Sequence, residues 1–257
     1  MPVILSEIRR YPVKGLNGEA LDRVDVCAGE GLPDDRRFAL AHAASQFDRT
    51  APQWLPKQNF LQLMRDERLA LLDARFDGDS GYLTIFRGGR QVARGQVTQP
   101  LGRVLIEQFL DAFIEPGPRG NPHIVEAPGV MLSDVPEKLV SIANLSSVKD
   151  IERVARVPVD PRRFRANLHL DGLPAWAELA WPGKTITIGD VELEVVEKIN
   201  RCAAIEVNPD TGARDLHLLK ILQEGFSHTA CGVYARVTGS GTLRVGDTVR
   251  VPPPADG

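Results

Sequence analysis

The chain is poor in cysteine, with only Cys27, Cys202 and Cys231 among its 257 residues. No two of them have Cys-x-x-Cys spacing, and an odd number cannot pair completely. The sequence therefore argues against a disulfide framework and against a structural zinc site, and it fits a reducing compartment. At least one of the three thiols must be free.

The sequence also lacks a long apolar run and an excess of charge of either sign. No stretch approaches the roughly 18 apolar residues of a membrane-spanning helix, and the opening residues, MPVILSEIRRYPVK, do not have the form of a secretory signal. The formal net charge is only -3, which provides no global attraction for nucleic acid. We expect a soluble cytoplasmic protein that binds neither membranes nor nucleic acid, so any anion-binding role must be local.

What the chain does contain is a succession of short β-branched or alternating runs separated by glycine and proline. These runs predict a mainly β fold, with barrel-like sheets and a few peripheral helices. Residues 101–114 have the 3.6-residue apolar period of an amphipathic helix, and the proline- and glycine-rich residues 115–136 predict a linker. We therefore predict a smaller N-terminal β-barrel domain over residues 1–120 and a second barrel-like domain over residues 121–257.

Local patterns predict further elements in the second half. Ser147-x-x-Asp150 has the form of a capping box that opens a helix. Residues 163–170 and 243–251 are predicted strands, and the apolar-Gly-Asp sequences at 188–190 and 245–247 predict hairpin turns.

Cys202 is the candidate reactive residue. It follows Arg201 at the end of an apolar run, where the chain leaves the predicted sheet. A neighbouring guanidinium stabilises the thiolate, which is the form that binds a soft metal or attacks an electrophile. The alternative is a small buried hydrophobe, as most lone cysteines are.

Arg163, Arg165 and Asn167 alternate along a predicted strand and would share one face of it. Two guanidiniums and an amide on one face suit a phosphorylated or otherwise anionic ligand. The alternative is a solvated face on which the arginines pair with carboxylates.

Longer motifs surround these residues. The run VEKINRCAAIEVNPDTGARD has RFRANL upstream and CGVYARVTGSGTLRVGDTVRV downstream, and IRRYPVKGLNGEAL and DRRFAL occur near the start of the chain. In this order the motifs resemble the MOSC domain, the C-terminal domain of molybdenum cofactor sulfurases, which also occurs in mitochondrial amidoxime-reducing proteins behind a β-barrel domain. The resemblance covers nearly the whole chain and implies the same two domains here.

The resemblance also implies a molybdenum cofactor (Mo-molybdopterin) and the residues that hold it. Cys202 would donate a thiolate to molybdenum and be the catalytic residue. Ser147, at the predicted helix N-terminus, would suit a phosphate. Glu178 matches an acidic position of the family to which no role is assigned. The cofactor-binding residues implied in this way are Lys14, Arg36, Ser147, Arg165, Asn167, Asn200 and Arg201.

The implied activity is that of an oxidoreductase that reduces small N-oxygenated substrates, such as N-hydroxylated bases or amidoximes. Electrons would come from a separate flavin or iron–sulfur protein, because three scattered cysteines cannot supply the four thiolates of an iron–sulfur cluster. One alternative is a carrier that passes on the cofactor or a sulfur atom held on Cys202. MOSC families are also associated with pyridoxal phosphate, but no lysine here has a Schiff-base context. A third interpretation is a cofactor-free barrel that binds anions or partners.

The remaining thiols and the five histidines are expected to be structural. Cys27 and Cys231 lie at the ends of predicted strands and are predicted to be buried. The histidines have no ligand spacing. His169 lies two residues beyond Asn167 and is the one that could contact the site.

Overall fold

The structure is a computed structural model that describes residues 2–114 and 120–253. Within these residues, three α-helices are accompanied by short 3-10 helices and fifteen strands. Among the described residues no helix is long and apolar enough to cross a membrane. The α-helices are α1 (Pro100–Phe113), α2 (Leu145–Ala155) and α3 (Leu218–Phe226). The 3-10 helices are Lys57–Asn59, Glu67–Leu71, Pro161–Phe164, Ala177–Ala180 and Ala203–Glu206. The strands are β1 (Ile4–Arg10), β2 (Glu19–Leu21), β3 (Arg23–Val26), β4 (Phe38–Ala41), β5 (Asp73–Asp77), β6 (Tyr82–Arg87), β7 (Arg90–Gln96), β8 (His123–Glu126), β9 (Val140–Asn144), β10 (Leu168–Asp171), β11 (Thr185–Ile188), β12 (Val191–Asn200), β13 (Ala230–Val237), β14 (Gly241–Arg244) and β15 (Val249–Arg250).

Eight strands form one curled sheet in the order β15-β11-β12-β13-β9-β10-β1-β2. Neighbouring strands are antiparallel except β9 and β10, which are parallel. The curl brings β1 to the segment around β15: the backbone N–H of Leu5 donates to the carbonyl of Asp247 at 2.9 Å, and that of Val249 to Val3 at 2.8 Å. Buried aliphatic side chains from most of these strands form one continuous core. The prediction of a mainly β, barrel-like fold is confirmed.

A second apolar core lies in the first half of the chain, where β5, β6 and β7 form a three-stranded sheet. α1 buries Ile106, Leu110 and Phe113 in this core, as its apolar period predicts. The helix approaches β7 closely because its contact residue is glycine: a Cβ on Gly102 would lie 2.1 Å from the carbonyl oxygen of Gln96.

Strands from both sides of the predicted domain boundary pair with one another. β1 and β2 belong to the eight-stranded sheet, β3 pairs with β14, and β4 pairs with β8. The division at residue 120 stays a prediction. The pairing establishes that strands from the beginning of the chain depend on later residues for their ladder hydrogen bonds.

The segment predicted as a linker, residues 115–136, contains a strand. Residues 115–119 lie outside the described residues. In the remainder, β8 pairs antiparallel with β4, and Ile124 and Val125 are buried. The linker prediction is wrong for β8, because two buried apolar side chains and a paired ladder outweigh the turn-forming residues around them.

α2 begins before its predicted capping box. Its N-cap is Asn144, whose side-chain oxygen accepts a hydrogen bond from the backbone N–H of Ser146 at 3.0 Å. Asparagine caps a helix about as well as serine does, and here it is the last residue of β9. The capping-box prediction is therefore wrong, and Ser147 lies inside the helix with its side chain buried.

The strand predicted over residues 163–170 is interrupted in its first half. Pro161–Phe164 forms a 3-10 helix, which the side chain of Asp160 caps. Arg165 follows with φ of 51°, a left-handed conformation that a strand residue does not adopt. The prediction that Arg163, Arg165 and Asn167 share one strand face is therefore wrong.

Only the first of the two apolar-Gly-Asp sequences forms a hairpin. β11 and β12 pair antiparallel with Ile188 opposite Val191, as predicted. The strand predicted over residues 243–251 is broken at Gly246, which has φ of 95°. Its two parts diverge, because β14 pairs with β3 and β15 pairs with β11.

Candidate functional site

A cavity of about 330 Å³ opens at the end of β12. Its walls also come from the segments after β1, β3, β4, β8 and α2. The fold thus collects side chains that are far apart in the sequence. Ser147 is not among the lining residues. The predicted site residues that line the cavity are Lys14, Arg36, Arg165, Asn167, Asn200, Arg201 and Cys202.

The lining is strongly cationic. It holds seven basic side chains and two carboxylates, although the chain as a whole has a net charge of -3. A concave site with one dominant sign of charge concentrates ions of the opposite sign, so the cavity favours an anion. The basic residues are Lys14, Arg36, Lys57, Arg163, Arg165, Lys198 and Arg201, and the acidic residues are Asp134 and Glu197.

Cys202 lies just beyond the end of β12 and is the N-cap of the 3-10 helix Ala203–Glu206. All three cysteines are free thiols, and only Cys202 lines the cationic cavity. Its side chain is half-buried. It is therefore accessible from the cavity and adjacent in sequence to a guanidinium, which is the setting in which a thiolate can serve as a soft ligand.

The Arg201 guanidinium is oriented by two backbone carbonyls. Its Nε donates to Cys231 and its Nη1 donates to Phe164, both at 2.7 Å. Its Nη2 is buried and has no partner among the described residues. Arg201 is thus fixed in orientation while one donor remains available to a ligand.

The Arg165 guanidinium is also incompletely paired. Its Nη2 donates to the carbonyl of Leu16 at 2.7 Å, whereas its Nη1 is buried without a partner in the described part of the chain. Burial lowers the pKa of Arg165 to about 10, so the side chain still carries its charge at neutral pH. A buried cation without a carboxylate partner is costly, and an anionic ligand would offset that cost.

Arg36 and Lys14 differ from these two residues because their charges are already balanced. Arg36 forms an ion pair with Asp35, and its Nη2 donates to the carbonyl of Arg165 at 2.8 Å. The Nζ of Lys14 lies 2.6 Å from Oδ1 of Asp134. Burial lowers the pKa of Lys14, and the adjacent carboxylate opposes that shift.

Two of the cavity arginines have unusual backbone conformations. Arg36 and Arg165 have φ of 47° and 51°, in the left-handed region that residues other than glycine rarely occupy. Such strain is retained where the surrounding structure enforces it, and it clusters at functional sites.

The two predicted asparagines have different surroundings. Asn167 is buried, and its Oδ1 accepts hydrogen bonds from the backbone N–H and the hydroxyl of Ser141 at 3.0 and 2.7 Å. Its Nδ2 donates to the carbonyl of Arg9 at 3.1 Å. Asn167 therefore joins β9 to β1, whereas Asn200 is exposed at the rim.

Ser147 belongs to a separate buried cluster. Its hydroxyl lies 2.9 and 3.0 Å from the two carboxylate oxygens of Glu178 and accepts a hydrogen bond from the backbone N–H of Trp176 at 2.8 Å. Asn144 donates to the same carboxylate at 2.9 Å. Burial raises the pKa of Glu178, against the effect of these hydrogen bonds. The structure does not bring Ser147 to the cavity.

Asp134 and Tyr234 are among the lining residues that were not singled out in the sequence. Asp134 pairs with Lys14 across 120 sequence positions, and no local pattern marks such a contact. Tyr234 lies in β13 between the buried residues Val233 and Ala235. Strand alternation there could have indicated that Tyr234 faces away from the barrel core and toward the site.

Cys27, Cys231 and His169 lie outside the cavity lining. Cys231 is buried as predicted, and burial raises its pKa to about 12. The prediction for Cys27 is wrong, because this residue is exposed just after β3. His169 does not line the cavity; it is buried with its Nδ1 2.9 Å from Oε2 of Glu7.

Residues 129–250 match the family model of the MOSC domain. This range includes Cys202 and the three cavity arginines with unpartnered buried donors, Arg163, Arg165 and Arg201. Lys14 and Arg36 lie before it.

The chain is similar in sequence to two differently named kinds of protein. The chain is 32% identical to mitochondrial amidoxime-reducing component 1 of Mus musculus over 122 residues, which are 40% of this chain and 34% of that protein. It is 38% identical to the molybdenum cofactor sulfurase of Caenorhabditis elegans over 78 residues, which are 30% of this chain and 11% of that protein. The matches therefore span about a third or less of the length of these relatives.

Among solved structures, the YUAD protein from Bacillus subtilis aligns over 97% of this chain and 94% of that chain, with 14% identity and a TM-score of 0.49. The match to the family model and the similarity to the two named relatives lead to one assignment: over residues 129–250 the chain is a MOSC domain.

Proposed function

We propose that this protein binds a molybdenum cofactor and with it reduces small N-oxygenated substrates, taking electrons from a separate flavin or iron–sulfur protein. One observation carries the proposal: a single cavity combines the half-buried thiol of Cys202 with two guanidiniums, Arg165 and Arg201, that each retain a buried donor without a partner. The names of the similar proteins supply the class of cofactor and of reaction.

The side chains present fit a metal that arrives as part of a larger anionic cofactor. Thiolate is a soft ligand suited to a redox-active metal. Within the described residues no group of three or more His, Cys, Asp or Glu side chains is arranged to hold a metal ion. Cys202 would donate its thiolate to the metal, and the cofactor would bring further ligands. The free guanidinium donors of Arg165 and Arg201 suit a phosphate.

The overall reaction is balanced by two electrons and two protons: the N–O bond of the substrate breaks and its oxygen leaves as water. When bound, the cofactor would supply the redox-active metal for this chemistry. Cys202 would hold the metal at the end of β12, while Arg165 and Arg201 would bind the anionic part of the cofactor. Lys14 and Arg36, held by their own carboxylates, also line the cavity.

Metal analysis and pterin fluorescence test this proposal directly. Wild-type protein from a cofactor-sufficient host is expected to contain about one molybdenum per chain, together with pterin. Cys202→Ser is expected to lose the metal. Cys27→Ser is the matched control, because Cys27 is an exposed thiol outside this cavity. Wild-type protein without molybdenum or pterin, and without reductase activity, would contradict the proposal.

A carrier function is the second candidate, and the partial exposure of Cys202 favours it, since a group held there can be reached by an acceptor. Turnover separates the two functions. With reduced viologen as a non-specific donor and an N-hydroxylated amidine as substrate, a reductase forms the amidine. A carrier forms none, but it transfers molybdenum to an acceptor that lacks it.

A further inference from the structure

Tyr11 lies behind the cavity wall and contacts two of the arginines that form it. It follows β1 directly, is 2% exposed and does not line the cavity itself. The guanidinium carbon of Arg36 lies 4.4 Å from the centroid of the Tyr11 ring, and that of Arg165 lies 4.5 Å from the same centroid. One buried aromatic ring therefore contacts two cationic side chains.

The contacts with the Tyr11 ring counteract the repulsion between the two guanidiniums. Arg36 and Arg165 are like charges in a buried site, and their repulsion opposes the ionisation of Arg165. Arg36 has Asp35 as its counter-charge, whereas Arg165 has no ion-pair partner among the described residues. The negative face of an aromatic ring attracts a guanidinium, and this attraction is strongest where water is excluded. For Arg165 the ring supplies an attraction that a carboxylate would otherwise provide.

Backbone hydrogen bonds fix the ring relative to both side chains. The backbone N–H of Tyr11 donates to Oδ1 of Asp35 at 2.7 Å, and the backbone N–H of Arg36 donates to the carbonyl of Tyr11 at 2.7 Å. Arg36 in turn donates to the carbonyl of Arg165 at 2.8 Å. The Tyr11 hydroxyl is buried and has no partner in the described part of the chain. The contacts of Tyr11 with the two guanidiniums are made by its ring.

We propose that Tyr11 is a positioning residue of the anion site, whose ring holds Arg36 and Arg165 in their binding orientations before the anion arrives. The proposal rests on the proposed function only in identifying that anion with the phosphate of the cofactor. Preorganised donors bind more tightly because they lose less conformational freedom when the ligand arrives. The affinity of the cofactor-free protein for an anion should therefore depend on the Tyr11 ring.

Calorimetric titration of the cofactor-free protein with inorganic pyrophosphate at low salt tests the dependence on the ring. Tyr11→Phe keeps the ring and is expected to bind within about twofold of wild type. Tyr11→Leu removes it and is expected to bind about tenfold more weakly. Tyr82→Leu is the matched control, because the Tyr82 ring lies 4.1 Å from the guanidinium carbon of Arg94 and does not line the cavity. It should bind like wild type.

Equal affinities for Tyr11→Leu and wild type, or a loss as large in Tyr11→Phe as in Tyr11→Leu, would overturn the positioning role. Wild-type protein that does not bind pyrophosphate would overturn it as well. If the Tyr11 hydroxyl were the group that matters, Tyr11→Phe would lose affinity for pyrophosphate. Wild-type affinity in Tyr11→Phe therefore identifies the ring. If the leucine variant does not fold, NMR relaxation of the Arg165 Nε–H group in ligand-free wild type decides: a rigid group supports preorganisation, and a mobile group refutes it.

These outcomes are separable from those of the cofactor test. Pyrophosphate binding that follows the ring, in a protein that never acquires molybdenum, would sustain the role of Tyr11 and contradict the proposed function. Molybdenum loading with no effect of the ring on pyrophosphate affinity would do the reverse.

Discussion

Arg165 and Arg163 both line the cavity. Replacing each by a neutral residue should change the free energy of unfolding in opposite directions. Arg165 has no carboxylate partner among the described residues, and burial lowers its pKa to about 10. Compared with the usual value of 12.5, this corresponds to about 3 kcal/mol by which the folded state disfavours the charge. Because the lowered pKa still lies well above 7, the folded and unfolded chains are both charged at neutral pH, and the full penalty is present there.

Methionine in place of Arg165 removes that penalty and keeps much of the side-chain volume. It leaves the carbonyl of Leu16 without its donor and removes the contact with the Tyr11 ring, which together cost about 2 kcal/mol. We therefore expect Arg165→Met to leave the ligand-free protein as stable as wild type or more stable by about 1 kcal/mol.

Arg163 is also buried, at 4% exposure, but its charge is paired with a carboxylate. Its Nη2 lies 2.6 Å from Oδ1 of Asp215, and its Nη1 donates to the carbonyl of Glu206 at 3.0 Å. Arg163→Met leaves the Asp215 carboxylate and the Glu206 carbonyl without the guanidinium that pairs with them. Because the Asp215 side chain is 38% exposed and can be rehydrated, the expected loss is about 2 kcal/mol, below that of a fully buried pair.

Urea unfolding at pH 7 measures both effects, with and without pyrophosphate. At a ligand concentration of about 100 times Kd, a binding-competent protein gains about 2.7 kcal/mol. Wild type should show this gain, and Arg165→Met should not. If Arg165→Met destabilised the ligand-free protein as much as Arg163→Met, the charge of Arg165 would not be an uncompensated cost, and the electrostatic argument for an anion site would fail.

Three further outcomes can be measured. Asn167→Ala should cost about 3 kcal/mol in urea unfolding, because three hydrogen bonds between strands lose their partner, whereas the exposed Asn200→Ala should stay within about 0.5 kcal/mol of wild type. In native protein a thiol reagent at pH 8 should label Cys27 quickly, and Cys231 only after unfolding, since burial raises the pKa of Cys231 to about 12. Burial raises the pKa of Glu178, so the folded chain keeps this proton to higher pH than the unfolded chain. The stability of wild type relative to Glu178→Gln should fall as the pH rises above 4.5, and a rise would contradict the assignment.

Elements with strong short-range patterns could be predicted from the sequence. α1 follows from its apolar period, and the β11–β12 hairpin follows from the glycine between the two strands. The failures have a common physical cause, which is competition that only the folded chain decides. Asn144 and Ser147 are both good caps, and the earlier residue caps the helix. β8 forms among turn residues because β4 is available to pair with it.

The site was predictable at the level of residue types and much less so at the level of their contacts. Seven of the eight implied residues line one cavity, although Arg165 and Asn167 do not share a strand face there. Ser147 lies elsewhere, because α2 begins early enough for its side chain to contact Glu178. The sequence places Asp35 directly before Arg36 and no acidic residue next to Arg165, but it does not show which charges are paired after folding. Arg36 forms an ion pair with Asp35, whereas Arg165 has no ion-pair partner among the residues that the structure describes.

The same difference indicates how much of the chain an anion site requires. The MOSC match over residues 129–250 contains Arg165 and Arg201, the two cavity arginines that have a buried unpartnered donor and no ion pair within the described residues. However, the ring beside Arg165 and the carbonyl that receives its Nη2 come from Tyr11 and Leu16, outside that range. β1, which leads into Tyr11, is held in the same sheet as β10. On the proposed function, the matched segment would supply the ligand-binding donors, and the preceding residues would orient Arg165. Orientation of a buried charge without an ion-pair partner among the described residues is what would distinguish a specific anion site from a basic surface.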